Sequence, residues 1–294
     1  MQPDPLAADS VSMRAGIGNW GAFNLTHFTI DDILAAAEGW AAALRGVERP
    51  WLCWNVNHDW CLAQQRLVEH AGWTPLVGFD PRIGRPPLTP KALCIDFNEK
   101  FGFKVMYPHF VIEFAFAFAP RLAFWHSDLL LRKNALEKAV RLFEGLDDGA
   151  MAATRQSEGR LAFLRPRQRR YWELLGCMTR AASRANFESG CGWWLNFAAH
   201  PRCPSPRERA RRARYYWECG TGIRYWHQHC GGRVDLIPER ELAEGHFTRI
   251  GNTRYRAVEG GDDWRRDLTK ELALNFELVQ AVRQLEIEDV VLPG

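Results

Sequence analysis

Residues 51–79 read WLCWNVNHDWCLAQQRLVEHAGWTPLVGF, and their pattern of apolar residues predicts the fold class. Residues 51–56 form a short apolar run, which is typical of a strand buried on both faces. Apolar residues then recur at helical spacing over Cys61–Ala71, and Gly72 is suited to end that helix. The run Thr74–Phe79 predicts a second strand. A strand, a helix and a strand joined by short links predict a right-handed βαβ unit and therefore the start of a parallel sheet.

The sequence on either side continues this alternation of helices and strands. The spacing of apolar residues predicts a helix over Ile30–Leu44, and Pro50 marks the boundary before the first strand. Pro81–Pro90 is rich in turn residues, Phe110–Ala119 is apolar all round and predicts a buried helix, and Arg121–Trp125 predicts a strand. The protein is therefore expected to be of the α/β class.

The later part of the chain has fewer clear patterns, and the sequence between Gly149 and Gly192 is the least regular. The other predicted elements are a helix capped by Asn134 with Glu137 three residues later, a helix over Tyr216–His229, a strand over Arg233–Ile237 and an amphipathic helix over Asp263–Leu285. A length of 294 residues suits a single α/β domain. We expect an N-terminal helical extension (1–48), one main α/β domain (49–260) and a C-terminal amphipathic helix packed on it (261–294).

Charge and cysteine usage narrow the function classes. The net charge of +3 creates no overall field for a polyanion. Arginines cluster in Arg165–Arg170 and Arg207–Arg214, which form either solvated faces or a strip that binds an acidic acceptor, a phosphate or a nucleic acid. No apolar run is long enough to span a membrane, no secretory signal is evident, and the cysteines are scattered, so we expect a cytoplasmic protein.

Polar side chains follow three of the predicted strands. They are Asn55, Asn57 and His58 after the first strand, Asp80 after the second, and His126 and Asp128 after the strand that ends at Trp125. In an open parallel sheet, ligands bind at the carboxyl ends of the strands. A carboxylate there can hold Mg²⁺ or Mn²⁺ and leave coordination positions open for substrate phosphates. The alternative is that Asp128 caps a turn beside a surface histidine.

Two blocks of sequence resemble the GT-A glycosyltransferases, and in particular their family-2-like members. Leu122–Leu131, followed by Asn134–Glu137, resembles the family's apolar strand that ends in Asp-x-Asp before an apolar pair and a helix. The chain departs from that pattern at the first acid, where it has His126. Glu218–Arg224, Gly231–Pro238 and His246 resemble the family's acidic helix start, its Gly-x-x-Val strand with a proline, and its late histidine.

The resemblance implies a GT-A-like mixed, mainly parallel sheet flanked by helices in a single Rossmann-like domain. It also implies transfer of a sugar from a nucleoside-diphosphate sugar to the hydroxyl of a glycan, lipid headgroup or nucleic acid, assisted by Mn²⁺ or Mg²⁺. Such transfer needs the leaving group's negative charge neutralised and a carboxylate to accept a proton. The implied roles are metal binding by His126, Asp128 and His246, general-base catalysis by Glu218, and donor binding by Asp80 and Arg224.

Two further site predictions rest on position alone. Asn57, at the end of the first strand, is a candidate donor contact. Trp193 and Trp194 follow a Gly-Cys-Gly segment and either stack on an acceptor sugar or base, or anchor a turn as buried residues.

Two other functions remain open. A zinc- and nucleic-acid-binding module is possible because cysteines and histidines gather near the second arginine cluster, although no Cys-x-x-Cys pair occurs. Those residues are Cys191, Cys203, Cys219, Cys230, His200, His227 and His229. A non-catalytic relative of the GT-A enzymes is the other possibility, because His126 stands where the family has an acid.

Overall fold

The computed structural model describes residues 28–103, 106–156, 170–194, 196–215, 218–247 and 278–292. A sheet of seven strands lies at the centre of this part of the chain. The strands are β1 (Pro50–Asn55), β2 (Thr74–Phe79), β3 (Leu93–Cys94), β4 (Arg121–Trp125), β5 (Ala150–Arg155), β6 (Tyr171–Thr179) and β7 (Arg233–Pro238). Their spatial order is β3-β2-β1-β4-β6-β5-β7. β6 runs antiparallel to its neighbours β4 and β5, and the other pairs are parallel, so the sheet is mixed and mainly parallel.

Helices flank this sheet. They are α1 (Ile30–Ala43), α2 (His58–His70), α3 (Pro108–Glu113), α4 (Ala115–Phe118), α5 (Lys133–Glu144), α6 (Arg180–Glu188), α7 (Pro206–Arg212), α8 (Thr221–His229), α9 (Leu278–Gln284) and α10 (Glu288–Val291). Within the described ranges, none of them combines the length and the apolar character needed to cross a membrane. The α/β class predicted from the sequence is confirmed.

β1 shows why residues 51–56 are apolar almost throughout. Leu52 and Trp54 belong to a hydrophobic cluster that also contains residues of α1, α3 and α6. Trp51 and Cys53 belong to a second cluster, formed with residues of α2 and α5. Alternate side chains of a strand point to opposite faces of a sheet, so both faces of β1 are covered, as the sequence predicted.

The predicted βαβ unit is confirmed. β1 and β2 pair in parallel from Pro50 opposite Thr74 to Asn55 opposite Phe79, with α2 between them in the chain. β2 and β4 have the predicted bounds, and α1 ends one residue before the predicted end. The start of α1 is stabilised by a capping box between Thr29 and Asp32.

The prediction of a less regular chain between Gly149 and Gly192 is wrong for the described residues of this stretch, because they contain β5, β6 and α6. Ala150, Ala152 and Ala153 give β5 little of the bulky apolar signal of a strand. In β6, Gly176 interrupts the apolar pattern, and a Cβ there would overlap the ring of Phe124 on β4. Glycine is therefore required by close packing within the sheet, although it weakens the strand signal in the sequence.

The bounds of the remaining helices also differ from the predictions. Asn134 is not the cap of α5, since the helix begins at Lys133 and the Asn134 carboxamide accepts a hydrogen bond from the next backbone N–H. α8 begins only at Thr221, because Gly220 has a left-handed conformation with φ of 77°.

The apolar segment 110–119 is helical but divides into α3 and α4 at Phe114. Most of the predicted helix over residues 263–285 lies outside the described residues, and α9 falls within its last part. The division of the chain at residues 48 and 260 stays a prediction.

Candidate metal centre

The ends of several strands meet at one edge of the sheet. β1, β2 and β4 are parallel neighbours, so the residues after Asn55, Phe79 and Trp125 come out at the same edge. β6 is antiparallel to β4, so its first residues, Tyr171–Glu173, lie at this edge as well. Polar side chains from four different parts of the chain are thereby gathered beside the end of β4.

Three side chains converge at this edge. One ligand atom from each of His126, Asp128 and His246 lies within 4.8 Å of the others. Oδ1 of Asp128 is 3.6 Å from Nδ1 of His126 and 3.6 Å from Nε2 of His246. The side chains are 28%, 20% and 10% exposed, so the group is shielded yet open to an ion from solvent.

Backbone contacts hold the three side chains in place. The N–H of His126 donates to the carbonyl of Leu174 on β6 at 3.0 Å, which continues the pairing of β4 with β6. His246 is carried to the site by a return segment, in which the N–H of Phe247 donates to the carbonyl of Asp128 at 3.0 Å. Gly245 is needed there because a Cβ would overlap the carbonyl oxygen of Leu130.

Two side chains stabilise the turn that follows β4. The carboxamide of Gln64, on α2, is fully buried and donates to the carbonyls of His126 at 2.7 Å and Leu129 at 2.9 Å. The hydroxyl of Ser127 donates to the carbonyl of Trp54 on β1 at 2.9 Å. The turn is therefore fixed to neighbouring elements on both sides, which pre-organises the two ligands that it carries.

The sequence analysis missed Glu173, which lies directly behind His126. Its Oε1 is 3.1 Å from Nε2 of His126 and 2.7 Å from Nε2 of His109, and its side chain is only 7% exposed. Its Oε2 is buried without a hydrogen-bond partner among the described residues. The signal that could have revealed it is a lone acidic residue within the otherwise apolar β6.

Charged neighbours shift the pKa values of His126, Asp128 and Glu173. Burial lowers the pKa of His126, but the hydrogen bonds and charges of Asp128 and Glu173 outweigh that effect and raise it to about 10. Burial raises the pKa of Asp128, but His126 and His246 hold it below its usual range. Burial likewise opposes ionisation of Glu173, yet His109 and His126 keep its pKa well below normal.

The donor set fits a divalent transition-metal ion. Nε2 of His126 is engaged by Glu173, so Nδ1 is the nitrogen that faces Asp128, and a carboxylate behind a ligating histidine is the usual way to fix such a ring. Two imidazole nitrogens and one carboxylate oxygen suit Mn²⁺ better than Mg²⁺, which prefers oxygen ligands. The metal-binding role of these residues stays a prediction.

Glu218 is connected to this centre through two side chains. The ring of Trp172 stacks on the ring of His126 with centroids 6.1 Å apart. The guanidinium of Arg170 lies 4.7 Å from the centre of the Trp172 ring and also forms an ion pair of 3.1 Å with Glu218. The predicted general base therefore lies on the same side of the molecule as the predicted metal ligands.

The predicted donor contacts lie at or near this edge but have partners within the protein. Asp80 is 1% exposed, and both of its carboxylate oxygens accept hydrogen bonds from the guanidinium of Arg82, at 2.9 and 2.7 Å. The side-chain oxygen Oδ1 of Asn57 caps α2 by accepting hydrogen bonds from the backbone N–H groups of Asp59 and Trp60. Arg224 lies in the first turn of α8 and is half-buried.

Trp193 and Trp194 are packed in the core. Both residues are 0% exposed, and Trp193 makes an edge contact with Phe124 on β4 while Trp194 contacts His200. Neither indole offers a face to an acceptor in this structure. Of the two interpretations of this segment, the structure shows the buried anchor.

Two histidines of the zinc interpretation have partners other than its cysteines. His200 is paired with the buried Glu113 at 3.0 Å, and Nδ1 of His227 lies 2.9 Å from the Tyr171 hydroxyl. Over the described ranges, His126, Asp128 and His246 are the one set of three possible ligands within metal-binding reach. No family model, curated protein or solved structure matches this chain.

Proposed function

We propose that the chain is a metal-assisted glycosyltransferase that moves a sugar from a nucleoside-diphosphate sugar to an acceptor hydroxyl. The observation that carries the proposal is the convergence of His126 and Asp128, from the turn after β4, with His246, which lies 118 positions after Asp128 in the chain. They converge at the carboxyl edge of the parallel strands, where sheets of this kind bind ligands. The mixed, mainly parallel sheet agrees with the architecture that the resemblance to the GT-A enzymes implies.

On the donor side, His126, Asp128 and His246 would hold the ion, and Glu173 fixes the ring of His126. The bound ion would supply positive charge against the charge that develops on a diphosphate leaving group. Asp80 and Arg82, after the end of β2 and two strands away from β4, form the part of the site that would meet the nucleotide base. Arg82 covers both oxygens of Asp80, so a base reaches the carboxylate only when the guanidinium moves or takes part in binding.

On the acceptor side, Glu218 accepts the proton of the attacking hydroxyl. Its side chain is 32% exposed, so an acceptor can approach it from solvent. Arg170 holds the carboxylate through the 3.1 Å ion pair while its guanidinium rests on Trp172. Because Trp172 in turn stacks on His126, this chain of contacts fixes the position of the base relative to the donor side.

The proposal is tested by thermal shift and by turnover. UDP, GDP or CDP should stabilise the protein only in the presence of Mn²⁺, by about 2.7 kcal/mol at a ligand concentration of one hundred times Kd. Asp128→Ala should lose both the shift and sugar transfer. The matched control is Asp59→Ala, since Asp59 is an exposed acid in the first turn of α2. Absence of any shift with these nucleotides and Mn²⁺, or full transfer activity in Asp128→Ala, would contradict the proposal.

A hydrolase is the second candidate, because two imidazoles and one carboxylate are also the protein ligands of many catalytic zinc sites. The two functions differ in what they need from an acceptor. A hydrolase would release free sugar or phosphate at full rate without any acceptor and would be most active with Zn²⁺. A glycosyltransferase would consume the nucleotide sugar faster when the acceptor is added.

A further inference from the structure

Two thiols lie close together on the side of the core that carries α6 and α8. Cys191 is in the loop after α6, and Cys230 is the residue that ends α8. Their sulfur atoms are 3.9 Å apart although the residues are 39 positions apart in the chain. Cys191 is buried and Cys230 is exposed, and neither is in a disulfide.

The backbone holds both cysteines in these positions. The N–H of Cys191 donates to the carbonyl of Asn186 at 3.0 Å, and the N–H of Cys230 donates to the carbonyl of Trp226 at 3.0 Å. The two sulfur atoms therefore face each other because the loop after α6 and the end of α8 are themselves fixed. A disulfide requires a sulfur separation of about 2 Å, so side-chain rotation must shorten the present distance by roughly that amount.

A buried arginine lies between the two segments. The guanidinium of Arg212 is 2% exposed and donates to the carbonyls of Ser189, at 3.0 Å, and Gly190, which directly precede Cys191. Its positive charge favours the thiolate form of nearby cysteines. The hydrogen bond from Cys191 lowers the pKa of Cys230, burial opposes this, and Arg212 adds to the lowering, so that the pKa is about 7.

We propose that Cys191 and Cys230 form a reversible disulfide by exchange with small-molecule disulfides such as oxidised glutathione, with the exposed Cys230 reacting first. The site is a redox modification site that lies apart from the predicted metal centre. It does not depend on the glycosyltransferase proposal.

The exchange takes place in two steps. The Cys230 thiolate attacks the small disulfide, forms a mixed disulfide and releases one small thiolate. Cys191 then loses its proton to that thiolate and attacks Sγ of Cys230, which releases the second small thiolate. This second thiolate takes up a proton from solvent, in place of the proton that Cys230 released when it ionised. Two protein thiols and one small disulfide thus become one protein disulfide and two small thiols, and the small disulfide accepts both electrons.

The order of the two cysteines follows from their surroundings. A hydrogen bond to Cys230 and burial raise the pKa of Cys191 far above the usual range, so Cys191 is not the first nucleophile. Once Cys230 is in the mixed disulfide it no longer accepts that hydrogen bond as a thiolate, and the main cause of the raised pKa is removed. Sγ of Cys191 lies 3.9 Å from the sulfur that it must attack.

The expected rate advantage is modest. At pH 7 a thiol of pKa about 7 is half ionised, whereas an unperturbed cysteine is about 3% ionised. The thiolate of lower pKa is also a weaker nucleophile, and this reduces its rate constant about fivefold. Cys230 should therefore react about threefold faster with oxidised glutathione than a cysteine in a short peptide.

Peptide mapping of the full chain after treatment with oxidised glutathione tests the proposal. The wild-type protein should contain a Cys191–Cys230 disulfide, and the matched control Cys203→Ser should form it equally, because Cys203 is a partly buried cysteine of the same region. Cys191→Ser should stop at a glutathione adduct on Cys230. Cys230→Ser, a change at an exposed position, should form neither product.

Three results would overturn the proposal. They are a wild-type chain that keeps both thiols at excess oxidised glutathione, a disulfide that joins a different pair, and a Cys230→Ser variant that is oxidised at Cys191 as fast as the wild type. If Cys191→Ser fails to fold, the wild-type map and the exposed Cys230→Ser variant still decide between these outcomes.

Discussion

Replacing Glu173 by glutamine removes a negative charge from behind the predicted ligand His126 while keeping nearly the same side-chain volume. In the native protein the carboxylate is 3.1 Å from Nε2 of His126 and almost fully shielded from water. A charge at that distance and depth makes the imidazole a stronger donor to a metal ion at Nδ1. The variant keeps an oxygen that can accept the same hydrogen bond, so its effect reports mainly on the charge.

The expected loss of Mn²⁺ affinity is tenfold to a hundredfold, which corresponds to about 1.4 to 2.7 kcal/mol of binding free energy. Isothermal titration calorimetry measures the affinity directly, and circular dichroism shows whether the variant is folded. Glu188→Gln is the matched control, since Glu188 is an exposed acid on α6. An unchanged Kd for Mn²⁺ in folded Glu173→Gln, together with lost binding in Asp128→Ala, would show that Glu173 does not tune the ligand.

Three further predictions concern the protonation of His126, the Asp80–Arg82 ion pair and the two thiols. The raised pKa of His126, about 10, leaves this ring protonated at pH 8, so Mn²⁺ binding should release about one proton per ion, and the affinity should fall about tenfold per pH unit below that pKa. Calorimetry in buffers of different ionisation enthalpy measures the proton release. Binding without proton release would mean that His126 is not a ligand. Arg82→Ala should lower the free energy of unfolding by about 3 to 5 kcal/mol, because it leaves the Asp80 carboxylate buried and unpaired. The double variant Asp80→Asn/Arg82→Ala should lose less unfolding free energy than Arg82→Ala. Equal losses in the two variants would show that the carboxylate is not the cause. If the Cys191–Cys230 disulfide forms, it closes a loop of 39 positions and should raise the free energy of unfolding of the oxidised protein by at most about 4 kcal/mol, measured by denaturant unfolding. An unfolding free energy no higher than that of Cys230→Ser would mean that the bond strains the native state.

The sequence predicted β1, β2, β4 and β7. The apolar runs of β1, β2 and β4 are bulky, and the polar residues after them correctly indicated one edge of the sheet. β5 and β6 were missed, because β5 is rich in alanine and Gly176 of β6 stands where the packing of the sheet leaves no room for a Cβ. Such packing depends on neighbouring strands and therefore cannot be inferred from one strand alone.

The same limit explains what was missed at the candidate site. His126 and Asp128 were predicted from their position after a strand and His246 from the family resemblance, but Glu173 reaches His126 only because β6 runs antiparallel to β4. Strand direction is set by the whole topology and is not encoded in the residues around Glu173. For Trp193 and Trp194 the sequence left two interpretations open, because a pair of tryptophans has the same sequence pattern whether the indoles are buried or exposed.

Glu173 also offers a physical explanation for histidine at position 126, where the resembling enzymes have an acid. The site has two carboxylates, but one of them, Glu173, is buried behind the His126 ring rather than placed among the three predicted ligands. His126→Asp alone would bring a third carboxylate against Asp128 and Glu173, and their repulsion should destabilise the fold and weaken the ion pair with His109.

Adding Glu173→Gln to His126→Asp removes that repulsion. In a double-mutant cycle of unfolding free energies without added metal, the double variant should be more stable than the sum of the single changes by at least about 1 kcal/mol. It should also bind Mn²⁺ more tightly than His126→Asp alone, because a ligand set with two carboxylates facing the ion suits Mn²⁺ when no third carboxylate competes. Strict additivity of the two substitutions, in both stability and Mn²⁺ affinity, would mean that the residues at 126 and 173 are not coupled and that the histidine at position 126 needs another explanation.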